Sequence, residues 1–118
     1  MAQLVLALHS FDDSASSPSY RSLLAYHYAQ AAVASGHRID MVFFYQSAVR
    51  FGADDCTHPL TDKWLELSAS HNIPLVLCTT VAETEYGLNE TRICSGFHHG
   101  GLTEFAQATA LADQVVQF

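Results

Sequence analysis

An α/β fold, with a largely parallel sheet between two helical layers, is what this sequence predicts. Short apolar runs recur at Leu4 to Leu8, Ile39 to Tyr45, Ile73 to Leu77 and Val115 to Phe118, and such runs suit strands buried on both faces. The stretches between them carry helical periodicity, and strands that alternate with helices build open parallel sheets. No composition shift, internal repeat or low-complexity tract divides the 118 residues. A single domain over residues 1–118 is therefore expected, long enough to bury about two-thirds of its unfolded surface.

The first run, Gln3 to Leu8, breaks into HSFDDSASSPS, a polar and serine-rich loop. There Ser17 offers an N-cap oxygen, and Pro18 suits the first helical position, where its missing N–H costs nothing. The helix expected over Tyr20 to Ser35 has Tyr20, Leu24, Tyr28 and Ala31 about a turn apart, and Gly36 closes it at a position free to take positive φ. IDMVFFY, Ile39 to Tyr45, is β-branched and aromatic, hence a second strand. Gln46 to Pro59 lacks strong periodicity and reads as a short helix plus loop or as a segment reserved for contacts.

Thr61 or Asp62 is the expected cap of the next helix, which carries Trp64, Leu65, Leu67 and Ser68 and breaks near Asn72. Ile73 to Leu77 is the third strand, running into Cys78. Thr80 and Glu83 have capping-box spacing, so a helix is expected to start there. Glu85 to Gly101 is irregular, with Ile93 and Cys94 as a candidate short strand. Leu102, Phe105, Ala106, Thr109 and Ala110 fall at helical spacing, and the chain finishes in a last strand.

Charge narrows the function. The formal net charge is −7, with five Lys plus Arg and no cluster of them. Direct nucleic-acid binding leaves a footprint of grouped basic residues, so none is expected. No stretch reaches the roughly 20 apolar residues that span a bilayer. The run Leu4 to Leu8 has no preceding Lys or Arg and no small-residue cleavage site, so it reads as a strand and not as a signal peptide. Cytoplasm is the expected compartment.

Cys56, Cys78 and Cys94 are an odd number of thiols, and a disulfide scaffold is not expected in a reducing compartment. Cys78 stands out by position. In open α/β sheets, reactive groups collect at the carboxyl ends of strands, and a helix beginning just after Cys78 would favour a thiolate or a persulfide anion there. The bland alternative is a small buried hydrophobe, a common use of cysteine.

Three segments carry a family likeness: VASGHRIDMVFFYQSAV, TDKWLELSASHNIPLVLC and FHHGGLTEFAQATALADQVVQF. Within them the most specific features are the GH-x4-VFFY stretch, Trp64 placed fourteen residues before Cys78, and the terminal DQVVQF. Together they resemble the TusD/DsrE family of sulfur-transfer proteins over nearly the whole chain. The resemblance implies a flavodoxin-like, DsrE-like layer fold and matches Cys78 to the family's persulfide-carrying cysteine. It implies a relay, in which a TusA-like donor loads Cys78 and Cys78 passes the sulfur to a TusE/DsrC-like acceptor. It also implies two homologous partner subunits, TusB/TusC-like or DsrF/DsrH-like, in a hetero-hexamer. The destination it implies is 2-thiouridine at the wobble position of tRNA, or, in the Dsr branch, the oxidation of stored sulfur. Around Glu83, Glu85 and Tyr86 the chain is more acidic than that likeness leads one to expect.

Other constellations are weaker. Cys94 with His98 and His99, or Cys56 with His58, offers metal-ligand types without the spacing of a zinc site, so no metal and no cofactor is expected. Cys56 and Cys94 are expected to be bystander thiols, with a resolving role for either as the alternative. Asn89-Glu90-Thr91 matches a glycosylation sequon that has no meaning in the cytoplasm. His9, Ser10 and Ser14 lack the glycines of a phosphate loop. Asp12 and Asp13 after the first strand would suit a phospho-acceptor regulator, an account that leaves Cys78 without a role. A subunit that only builds the complex is the other reading from a different class.

Overall fold

A computed structural model describes residues 1–11 and 20–118. The expected cap Ser17 and the expected first helical residue Pro18 lie outside the described residues, as do Asp12, Asp13 and Ser14. Five parallel strands, β1 (Gln3–Leu8), β2 (Arg38–Phe44), β3 (Leu75–Cys78), β4 (Phe97–Gly100) and β5 (Gln114–Gln117), form one sheet in the order β4-β3-β2-β1-β5. Helices α1 (Arg21–Ala34), α2 (Pro59–His71), α3 (Thr79–Tyr86) and α4 (Leu102–Leu111) connect successive strands. The layered parallel sheet expected from the sequence is the architecture found.

The strand order dictates where the helices go. From β1 to β4 each step moves the same way across the sheet, and the last step returns to the far side of β1. Because such crossovers are right-handed, that reversal sends α4 to the face opposite α1 and α2. Ring contacts agree. Phe44 and Tyr26 of α1 both meet Trp64 of α2 edge-on, at 5.8 and 5.3 Å, whereas the next residue, Phe43, stacks on Phe105 of α4 at 4.5 Å.

On the α1/α2 face the core is dense. Leu6, Leu8, Val42, Phe44, Phe51, Trp64, Leu75 and Leu77 are all fully buried. Here α1 buries Ser22, Ala25, Tyr26, Ala29 and Ala32, a face rotated from the expected stripe. Tyr20 and Leu24 point to solvent. Apolar residues occur all around α1, so periodicity does not select a face. The small side chains decide it by letting the helix approach the sheet closely.

Two local expectations are corrected. The α2 helix starts at Pro59, not at Thr61 or Asp62. His58 is its N-cap, with Nδ1 accepting from the Leu60 N–H at 3.1 Å, and proline fills the first helical position. Thr61 is buried instead and donates its hydroxyl to the Phe51 carbonyl. The break at Asn72 is as expected, through a left-handed residue (φ 54°). Ile93 and Cys94 form no strand: Ile93 makes a single antiparallel bridge with Ala53, and the pairing strand is Phe97–Gly100. The 46–59 segment contains a 3-10 segment, Gln46–Gly52, that packs against β3 and α3.

Along α4 the helical spacing is right, but no residue is fully buried, and Leu102 and Leu111 are exposed. Phe105, Ala108 and Ala112 carry the contact with the core. Among the described residues α4 is the lone helix on its face, so it covers only a strip of the sheet.

Candidate functional site

Cys78 ends β3 and caps α3, with φ −61° and ψ 114°. Extended backbone at one residue and helical backbone at the next makes the strand-to-helix junction expected from the sequence. The expected capping box is absent. Pairing with β4 holds Cys78 extended, in register with Gly100, so helical backbone begins at Thr79 and Thr80 falls inside the first turn. Glu83 is turned towards His99 instead. The α3 N-terminus therefore has no side-chain cap.

Alternation along β3 places Cys78 on the face of Val76, which pairs with Phe43 beneath α4. Gly100 completes the site by what it lacks, because a Cβ there would collide with Val76 Cγ1. Gly101 follows as the N-cap of α4, its N–H donating to Glu104 Oε2 at 2.6 Å. Two helices thus begin at adjacent strand ends, and the positive ends of their dipoles suit an anionic sulfur group. Cys78 is 3% exposed. Among the described residues its sulfur has no hydrogen-bond partner.

The other two thiols are held differently. Thr61 spends its one hydroxyl proton on the Phe51 carbonyl, at 2.7 Å. Its 3.2 Å contact with Cys56 therefore has the thiol as donor. Cys94 donates its S–H to the Ala53 carbonyl at 3.3 Å, and the Cys56 backbone N–H reaches the same oxygen at 3.1 Å. Burial, then the negative charge of Cys56, Asp54, Asp62 and Asp55, pushes the Cys94 thiol above the ordinary 9.0. In both contacts the sulfur is the donor.

This corner also holds a cleft of roughly 500 Å³, lined by Phe11, Arg50, Cys56, His58, Tyr86 and Arg92 among others. Tyr86 ends α3, whereas Cys78 caps its start, and eight residues of helix span about 12 Å. The cleft is therefore not the Cys78 site: Cys56 lines it and Cys78 does not. Among the described residues no three His, Cys, Asp or Glu side chains converge on a metal position. Residue-level reading missed Gly100 altogether and weighed His99 only as a metal ligand. Neither carries a periodic signal, and only the FHHG pairing reveals them.

A family model described as the DsrE/DsrF-like family matches residues 11–118. Among solved structures, the chain is similar to the ychN protein from E. coli, at 22% identity and a TM-score of 0.80, with all of both chains covered. It is also similar to MTH1491, a protein of unknown function from Methanobacterium thermoautotrophicum, at 16% identity and a TM-score of 0.77, again over the whole of both chains. At these identities the likeness to the two structures is one of fold.

Proposed function

The chain belongs to the DsrE/DsrF-like family, and from that membership we propose that it is a persulfide carrier in a sulfur relay, with Cys78 as the transferring thiol. The observation that carries this reading is the contrast among the thiols. Cys56 and Cys94 are engaged as donors to oxygen, while Cys78, without such a partner among the described residues, sits where a strand ends and a helix begins.

In the proposed reaction the Cys78 thiolate attacks the outer sulfur of a TusA-like donor persulfide. The donor's inner sulfur leaves as a thiolate, and the outer sulfur is now bonded to Cys78. A thiolate of a TusE/DsrC-like acceptor then attacks that outer sulfur and expels the Cys78 thiolate. No electrons are gained or lost overall, so the relay needs no redox cofactor. Delivery to tRNA 2-thiouridine is the favoured destination, with sulfur oxidation as the alternative. With a net charge of −7, contact with RNA falls to other components.

Partner subunits of the TusB/TusC or DsrF/DsrH kind complete the proposal, in a cytoplasmic hetero-hexamer. Exposed Tyr20, Leu23 and Leu24 around α1, and Leu102 and Leu111 on α4, are apolar surface of the type that association covers. No described helix is long and apolar enough to cross a membrane. The burial of Cys78 favours a second reading, a subunit that builds the complex without carrying sulfur. Mass spectrometry after exposure to a cysteine desulfurase, cysteine and a TusA-like donor separates the two. Gain of one sulfur on the Cys78 peptide supports the carrier, and an unmodified Cys78 alongside a loaded donor rejects it.

A further inference from the structure

Cys78 is buried, yet the helix it caps is lightly anchored: of the eight residues of α3, only Ala82 is fully buried. What holds the far end of this helix therefore governs how easily the junction opens. Gly87 ends α3 in a left-handed conformation, and the Leu88 N–H returns to the Ala82 carbonyl at 2.8 Å. The Leu88 carbonyl is left facing β4. His99 Nε2 lies 2.9 Å from it, and since a carbonyl oxygen only accepts, Nε2 carries the proton. The other ring nitrogen, Nδ1, lies 3.6 Å from Glu83 Oε1, on the body of the same helix.

We infer that His99 is a positioning residue for Cys78: one ring, fixed on β4, clamps both the body and the end of α3 and so keeps the Cys78 junction closed. The inference rests on the carrier reading for its functional meaning, but the clamp itself is a matter of geometry. Glu83 and His99 also give a role to the acidic stretch after Cys78 that the family likeness leaves without one.

The clamp has two arms. The Nε2–H bond to the Leu88 carbonyl holds the end of α3, and Glu83, 3.6 Å from Nδ1, faces the ring from the body of the helix. Around the ring, α3 contributes Glu83, and β3 contributes Leu77, in register with His99 and apolar. His98 lies on the opposite face of β4. Among the described residues no other charged side chain comes within ion-pair distance.

The experiment follows iodoacetamide labelling of each cysteine peptide by mass spectrometry, with thermal melting in parallel, on the full chain. His99→Leu, folded, should label at Cys78 roughly two- to tenfold faster than the parent, the range one lost hydrogen bond allows. Cys56 and Cys94 should be unchanged. His99→Gln, which keeps a donor for Leu88, should restore most of the protection at about pH 8.

An unchanged Cys78 rate in folded His99→Leu, or equal acceleration of all three cysteines, overturns the clamp. Should His99→Leu not fold, nitrogen NMR of the parent decides: the clamp requires a proton on His99 Nε2, and a ring protonated on Nδ1 alone overturns it. Labelling needs no sulfur donor. A parent protein that labels as expected but never loads sulfur thus rejects the carrier reading and leaves the clamp standing.

Discussion

Two corners of this molecule hold thiols in opposite ways. At the Ala53 corner, Cys56 and Cys94 are donors to a hydroxyl and a carbonyl oxygen, and deprotonation would turn each sulfur into an anion facing lone pairs. At the β3–α3 junction, Cys78 is more deeply buried, but its surroundings are helix N-termini rather than acceptor oxygens. Burial alone thus says little about what a cysteine does. What matters is whether the neighbouring dipoles favour the thiol or the charged sulfur.

The sharpest way to break that comparison is to exchange the Cys78 sulfur. Cys78→Ser should abolish persulfide loading, since a hydroxyl is a far weaker nucleophile and cannot carry the second sulfur. The fold should survive, because an N-cap position accepts a hydroxyl well. Cys56→Ser and Cys94→Ser should each keep most of the transfer, measured by loading from the same donor. Loss of onward transfer in Cys94→Ser, with Cys78 still loaded, would give Cys94 a resolving role and undo the contrast.

Next in size is Gly100→Ala. The added methyl meets Val76 beside Cys78, and overpacking of this kind costs about 1–3 kcal/mol. Urea denaturation should register that loss, and loading should slow in the fraction that remains folded. At the other corner, Thr61→Val removes both the acceptor for Cys56 and the donor to the buried Phe51 carbonyl. A loss of about 1–3 kcal/mol is expected, together with faster alkylation of Cys56 and no change at Cys78.

The smallest effect concerns pH. The folded protein raises the Cys94 thiol above 9.0, with burial as the leading cause. A raised acid binds its proton more tightly when folded than when unfolded, so its contribution is complete below about 9 and is lost as pH climbs through the raised value. Cys94→Ala should flatten this alkaline decline slightly, seen as a smaller fall in melting temperature between about pH 8 and about pH 10.

The sequence made some of this plain and hid the rest for physical reasons. Strands β1 to β3 are runs of large apolar residues buried on both sides, which leave an unmistakable pattern. The fourth strand reads FHHG, with two histidines and a glycine, and its strand character comes from pairing with β3 rather than from its own composition. The start of α2 was hidden because His58 is an unusual cap and Pro59 looks like loop. Cys78 was legible as a strand-end thiol. Its register partner Gly100 and the His99 contact to α3 depend on residues more than ten positions apart, and no local periodicity records them.

The strand order carries a kinetic consequence. Strands β1, β2 and β3 pair side by side in the order in which the chain presents them, so each can add to its predecessor as it arrives. β5 cannot. It must wait until α4 has crossed the sheet and then pair with β1, more than a hundred residues earlier. Closing so large a loop is entropically slow, and three of the four residues of β5 stay exposed. The carboxy-terminal edge should dock late in folding and exchange its amide protons first in the native state, leaving the strand that ends in Cys78 among the slowest to open.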